Sequence, residues 1–468
     1  MPGGAGGQSP PAPPGYPQQP RSDTEPRAMT YVYEPDAYSQ KPIATSYWPT
    51  TVASPTQPQL IGQHQADVAI IGAGFTGLNA AHHLSQAGAN VVVLDAQSPA
   101  FGASGRNGGF CCLGGGKISN AALIRSYGAD QQRLYRDAEH SAVAYVDNLT
   151  TALNIDIDRH SNGETLLAHS PRAARHLTQI HDEIAADYNV TPTLHSRDDL
   201  TSLGMQGHFF GGITTPIGFG LNPRKYLLGL LAKTPNLTCF ANSPVQAITP
   251  TARGYQLNTP QGSITASKFV IATNGYTSET MFPWMTSRFL PVQSSVIVTE
   301  PISPERQQKQ GWFSDQMAYD TRFLLHYFRR LPNGRFLFGM RGGLQYTPAS
   351  EAVIKTTITR NFRRLFPNWH DVAIDHYWSG LVAMNRNLAP FVGEIPGYPG
   401  GYAGFGYHGN GVAMGSYAGA ILADLIATGS TDRAYPTAFA RAPKRYPLGR
   451  HRRWLLAPIY RIMPWIEG

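Results

Sequence analysis

Cysteine is scarce in this chain, with three residues in 468: Cys111, Cys112 and Cys239. No disulfide framework can be built from them, which points to a reducing compartment. Charged residues are also sparse, at 15%. No apolar run reaches the roughly 18–20 residues of a membrane-spanning helix. The opening MPGGAGGQSPPAPPGYPQQP has neither the basic nor the apolar region of a secretory signal. A cytoplasmic protein is therefore expected. The formal net charge is +8, and much of it falls between Arg441 and Arg461. No helix-turn-helix, zinc-finger or RNA-sheet signature accompanies it, so no nucleic-acid partner is expected.

Glycine is abundant, with 48 residues, many of them clustered. Clustered glycine suggests backbone approaching a ligand. The length fits about two to three structural units. Residues 66–71 (ADVAII) form a short apolar run without helical spacing, as in a buried parallel strand. A helix over 78–87 and a β-branched strand over 90–94 follow. Further on, helices are expected over 120–152 (with Gly128 as a breaker), 172–188, 223–232, 352–365 and 413–428. Strands are expected within 237–271 and at 293–299, 335–340 and 401–405. Residues 327–340 read as a hairpin around Pro332-Asn333-Gly334. The stretch 211–221 reads as a glycine-rich loop, and 31–61 as an extended arm.

Between the first strand and helix stands Gly72-Ala73-Gly74-Phe75-Thr76-Gly77. The first glycine permits the tight turn, the second admits a pyrophosphate to the backbone, and the third lets helix and strand pack closely. The helix N-terminus then faces the phosphates. Asp95 ends the second strand, where an acid holds ribose hydroxyls. A carboxylate there favours a free ribose diol, hence FAD or NAD.

Gly102-Ala103-Ser104-Gly105-Arg106-Asn107-Gly108-Gly109 follows, a loop able to present backbone amides and one guanidinium to a phosphate or flavin edge. This run resembles the GASGRNGG segment of the D-amino-acid-oxidase-like superfamily of FAD-dependent oxidoreductases. Val270 to Gly275, Trp378 to Ala383 and Gly404 to Gly411 resemble other segments of that family. With TSYWPT at 45–50, the chain looks most like gamma-glutamylputrescine oxidoreductases.

The resemblance implies an α/β fold: a Rossmann-type FAD-binding domain with an inserted mixed-sheet substrate domain. Its expected map is a disordered tail (1–28), an arm (29–65), FAD-binding parts at 66–120, 206–290 and 376–435, substrate parts at 121–205 and 291–375, and a basic tail (436–468). It implies FAD as cofactor. The implied contacts are the 72–77 turn, Asp95, Ala96, Ser104, Gly105, Arg106, Asn107, Gly108, Gly109, Val245, Thr273, Asn274, Gly275, Gly406, His408, Gly409, Asn410, Gly411 and Val412. Tyr327, Arg341 and Tyr407 are the implied substrate contacts. The implied reaction is hydride transfer from an amine or amino acid to flavin N5. The resulting imine hydrolyses to an aldehyde or keto acid, with oxygen or another acceptor reoxidising the flavin. No catalytic residue and no metal is assigned. The partner is a small-molecule amine such as γ-glutamylputrescine, sarcosine or a D-amino acid.

Several residues admit two readings. Cys111-Cys112 are either a flavin link or redox pair, or two small apolar side chains in a tight site; the second is preferred. His408 is either a base or a local hydrogen-bonding partner, the latter preferred. Alternation places Tyr327 and Arg329 on one sheet face, which either binds a substrate carboxylate or is solvated. Pro458 and Pro464 argue against a long amphipathic helix in the basic tail, which is expected to pack on the body rather than on a membrane. The rivals to an amine oxidase are an NAD-dependent dehydrogenase and a nucleotide-binding protein without turnover.

Overall fold

The first strand, Gly62–Ile71, starts exposed and ends in four buried residues, Val68 to Ile71. That apolar end suits a parallel strand covered on both faces. It pairs in parallel with Val91–Leu94 on one side and Gly262–Ile271 on the other. The computed structural model, which describes residues 29–467, builds from this centre an eight-stranded sheet. Its main path runs Phe391–Glu394, Gly401–Phe405, Gly262–Ile271, Gly62–Ile71, Val91–Leu94, Thr238–Phe240. Residues 1–28, expected to be disordered, lie outside the described residues.

Two helices cover one face of this cofactor sheet, Phe75–Gln86 and Ala413–Thr428. Small residues let them approach: a Cβ on Gly419 would stand 2.4 Å from the Thr76 carbonyl oxygen. The strand–glycine turn–helix–strand order read from 66–94 is thus present, and so is the predicted helix Pro223–Ala232.

A second eight-stranded sheet runs Ile374–Asn385, Phe289–Thr299, Phe336–Arg341, His326–Arg330, Met317–Asp320, Glu164–Leu167, Gly212–Thr215, Thr193–His195. It is antiparallel except where Met317–Asp320 pairs with Glu164–Leu167. The expected hairpin forms its centre. One face packs on helix Pro348–Leu365 through Phe328, Phe336, Phe338, Phe362, Phe366 and Trp369. The other faces the cofactor sheet. The expected fold, a Rossmann-type domain with an inserted mixed sheet, is the one present.

Several expectations need correction. Residues 211–221 are not a loop: Gly212–Thr215 and Phe219–Gly220 are strands, because Ile213, Thr214 and Thr215 are β-branched and find partners in Glu164–Leu167. The run 120–152 is two helices, Asn120–Tyr127 and Ala129–Ala152, parted at Gly128 with φ +91°. The sheets also cut across the expected domain map. Gly212–Thr215 and Ile374–Asn385 belong to the second sheet. Helix Ala129–Ala152 buries Ala138, Ala142, Val143 and Val146 in the core shared with the glycine-turn helix.

The arm is not extended. It coils through short helical turns at Pro35–Tyr38, Lys41–Ala44 and Trp48–Thr50, and it touches both sheets' loops. The C-terminal residues fold back: Arg452 is fully buried, bonded bidentately to Glu279 at 2.7 and 2.9 Å. Leu456 packs on Leu290 and Val292. The short helix Ala457–Glu467 accommodates Pro458 in its first turn, where a missing N–H costs nothing.

Phe366 sits at the centre of the aromatic cluster, in ring contact with Trp312, Phe328, Phe336 and Trp369. Phe366→Ala is expected to destabilise the fold by about 3–5 kcal/mol, seen as a lowered midpoint in chemical unfolding. An unchanged midpoint would show that the cluster does not hold the second sheet.

Candidate active site

The glycine turn is built by exclusion. Gly72 has φ +106°, and a Cβ there would stand 2.8 Å from the Ala272 carbonyl oxygen. A Cβ on Gly77 would meet the Gly72 carbonyl oxygen at 1.9 Å. Asp95 folds back over the turn, accepting the Ala73 N–H at 2.8 Å and the Gln97 N–H at 2.9 Å. Burial pushes its carboxyl up to about 6, against the pull of those two N–H groups. Ser104 Oγ accepts the Phe75 N–H at 3.1 Å, tying the second loop to the first.

That second loop is held from outside by four consecutive carbonyls. Trp378 Nε1 donates to Arg106 O at 2.8 Å, and Trp48 Nε1 to Asn107 O at 2.8 Å. Arg329 Nε donates to Gly108 O at 2.9 Å, and the Leu221 N–H to Gly109 O at 2.9 Å. Asn107 closes the loop internally, donating to Ala103 O and Ser104 O and accepting the Gly109 N–H. Arg329 is fully buried, and its two terminal nitrogens donate one bond each, to Leu221 O and His160 Nε2. Burial pushes this guanidinium down to about 9.

A cavity of about 670 Å³ runs from this turn to the face of the second sheet. Of the expected cofactor contacts, Gly72, Ala73, Gly74, Phe75, Thr76, Asp95, Ala96, Ser104, Arg106, Asn107, Gly108, Val245, Thr273, Asn274, Gly409, Asn410, Gly411 and Val412 line it. Gly77, Gly105, Gly109, Gly275, Gly406 and His408 do not. The glycines among these serve packing behind the wall: a Cβ on Gly105 would meet Ala100 O at 1.7 Å, and one on Gly406 the Asn385 side chain at 2.2 Å.

Two expected roles change. The Arg106 guanidinium does not face a phosphate. It donates to Phe101 O, Ala37 O and Ser39 O and stacks on Phe101, fastening the arm. Tyr407 lines the cavity, but its hydroxyl is committed to Thr76 Oγ1 at 2.8 Å, beneath the glycine turn. His408 accepts the Asn385 N–H on Nε2 at 3.2 Å, and burial first, then Lys117 and Arg341, push its pKa down to about 3. Its place is that of a buried hydrogen-bonding partner, the reading preferred from the sequence. On the Tyr327–Arg329 face Arg329 is buried and Tyr327 half-buried against the cavity, so the face is not an open, solvated one.

Tyr327 and Arg341 do face the cavity, with Tyr327 bonded to Ser294 Oγ at 3.0 Å. Among the described residues Arg341 makes one hydrogen bond, Nη2 to His408 O at 3.3 Å, of the five its guanidinium can donate. Burial lowers its pKa from the ordinary value. Cys111 is a core residue and Cys112 reaches the cavity; burial raises both thiols well above their usual range, so neither is a thiolate. Sequence reasoning missed Lys117, Glu164 and Tyr319, which also line the cavity. Glu164 had a signal, being the one acid in the apolar strand Glu164–Leu167. Lys117, after three glycines, had none beyond their density.

These features match known proteins. The family model described as DAO, FAD dependent oxidoreductase, matches residues 67–425, and the chain belongs to that family. A probable oxidoreductase, OrdL, of Rhizobium meliloti is 31% identical over 84% of this chain and 91% of its own length. Gamma-glutamylputrescine oxidoreductase of Escherichia coli is 26% identical over 81% and 87%. Glycine oxidase of Bacillus cereus superposes with a TM-score of 0.65 at 20% identity, over 82% of this chain and 99% of that one. The enzyme is FAD-dependent, and the residues fit that cofactor. Bare glycine backbone lines the phosphate end, and Asp95 has lone pairs left for ribose hydroxyls after accepting two N–H groups. Among the described residues no helix is long and apolar enough to cross a membrane.

The raised carboxyl of Asp95 sets a pH dependence. With Asp95 as the expected partner of the ribose hydroxyls, apoprotein affinity for FAD is expected to rise as pH passes upward through about 6 and to level off above it. Fluorescence titration of the apoprotein from pH 5 to 8 measures this. An equal pH dependence in Asp95→Asn would contradict the assignment.

Proposed function

We propose that this enzyme oxidises the C–N bond of an amine or amino acid that carries a carboxylate, with Arg341 as the carboxylate's partner. The observation that carries this reading is the cavity-facing, almost uncommitted guanidinium of Arg341, beside the hydroxyl of Tyr327. A planar fork of N–H groups suits bidentate binding of a carboxylate. The relatives' names agree with it: gamma-glutamylputrescine, glycine and D-amino acids are all amines with a carboxylate.

When bound, the flavin supplies the acceptor for the hydride that leaves the carbon next to nitrogen. The chain's own residues orient and desolvate. Gly108 and Asn107 line the cavity from a loop that four anchored carbonyls hold still. The apolar and aromatic walls, with the positive charge of Arg341, disfavour an ammonium beside them and so favour the neutral amine at the reacting end. No side chain is needed to take a proton from carbon. Oxygen or another carrier then receives the electrons, and a cytoplasmic site of action fits the cysteine usage.

The test is anaerobic titration of the FAD-loaded enzyme with γ-glutamylputrescine, sarcosine, glycine and D-alanine, following the flavin's visible band. Bleaching by at least one is expected, with Arg341→Met raising the KM of that substrate about 100-fold. No bleaching by any of the four, or an Arg341→Met variant with unchanged KM, would overturn the reading.

A further inference from the structure

Arg341 is matched, on the same sheet face, by a charge of opposite sign. Glu164 pairs with Thr215 across its strand, while Leu166, two residues on, pairs with Tyr319. Tyr319 pairs with Tyr327, and Tyr327 with Gly339, two residues before Arg341. Since alternate residues share a face, Arg341, Tyr327, Tyr319, Glu164 and Thr215 form one diagonal row, and all five line the cavity. Three strand spacings, roughly 14 Å at about 4.8 Å each, separate the strands of Arg341 and Glu164. The row is thus a floor with a cation at one end, a carboxylate at the other and two tyrosines between.

Glu164 keeps only 7% exposure and lines the cavity, yet among the described residues no salt bridge reaches it. The groups around it are the Cys112 thiol, which donates to it, the Lys117 ammonium, the Tyr319 phenol and the Thr215 hydroxyl of its neighbouring strand. A thiol is a weak donor, so the carboxylate is left under-satisfied in a site where burial is costly. Burial pushes it up to about 8, with Cys112 and Lys117 pulling the other way. No part of the proposed reaction uses it. An acid kept there against that cost suits a ligand that brings its own positive charge.

We propose that Glu164 is the recognition point for a second, non-reacting cationic group of the substrate, so that the enzyme prefers amines bearing a distal ammonium. This rests on the amine-oxidising reading of the same cavity for its consequence in turnover. The binding preference itself does not depend on turnover. The substrates selected would be bipolar and elongated, as in a dibasic amino acid. On binding, the distal ammonium ionises Glu164, and the proton it held is released to solvent.

Calorimetry on the FAD-loaded enzyme under anaerobic conditions tests this with matched pairs that differ only in the distal ammonium: lysine against norleucine in both enantiomers, and putrescine against butylamine. At least one dicationic member is expected to bind about ten-fold tighter than its partner. That preference should grow from pH 6 to 8 and be accompanied by proton release. Glu164→Gln should abolish the preference and the proton release while leaving the neutral-tailed ligands within about two-fold; Glu164→Asp should restore part of both. Equal binding of every pair, or a preference that survives in Glu164→Gln, overturns the proposal. If the preference follows Glu164 but none of γ-glutamylputrescine, sarcosine, glycine and D-alanine bleaches the flavin, the cation site stands and the amine-oxidising reading fails.

Discussion

A side chain on Gly77 would drive its Cβ to within 1.9 Å of the Gly72 carbonyl oxygen, and most of the site's geometry follows from the contact that glycine permits. Helix Phe75–Gln86 can start directly against the end of strand Gly62–Ile71 only because both positions lack a Cβ. This places the helix N-terminus, with its unpaired N–H groups, at the cavity wall. It also lets Asp95 close over Ala73, and it brings Phe75 to Ser104, so the second glycine loop is registered on the first. Gly419 repeats the device between the two covering helices.

The second loop shows how a flexible sequence becomes a rigid wall. Glycine-rich backbone has much conformational entropy to lose. Here each carbonyl from Arg106 to Gly109 is held by a donor from elsewhere in the chain: the second sheet, the arm and the loop at Leu221. The arm's Trp48 and the hairpin's Arg329 are therefore part of the cofactor end of the molecule, although both lie behind the cavity wall. Each such bond contributes only about 1 kcal/mol of stability. Their joint effect is to fix which groups of the loop face inward.

The Rossmann half of the fold was legible because its signals are local: an apolar strand, three glycines with distinct steric tasks, and an acid after the next strand. The 102–109 loop was legible as a ligand loop, but not the direction of Arg106, whose guanidinium is claimed by Phe101, Ala37 and Ser39. Nor could spacing show that Tyr407 spends its hydroxyl on Thr76. Glu164 joins Tyr319 and Arg341 only through the pairing of Glu164–Leu167 with Met317–Asp320, segments more than 150 residues apart. Residues 376–385 read as cofactor-domain sequence because their Trp-Ser-Gly run resembles a segment of the DAO family. Trp378 does bond the 102–109 loop while its strand completes the other sheet.

The central claim is that a dinucleotide's diphosphate lies against the bare backbone at Gly74. A Cβ there would crowd Ser104 Oγ at 2.7 Å and fill the cradle, while the backbone angle of −99° tolerates any residue. The direct measurement is FAD titration of the apoprotein carrying Gly74→Val, beside a circular-dichroism spectrum to verify the fold. A loss of FAD affinity of at least about 100-fold with the spectrum unchanged is the predicted result. Undiminished affinity in that variant would contradict the account.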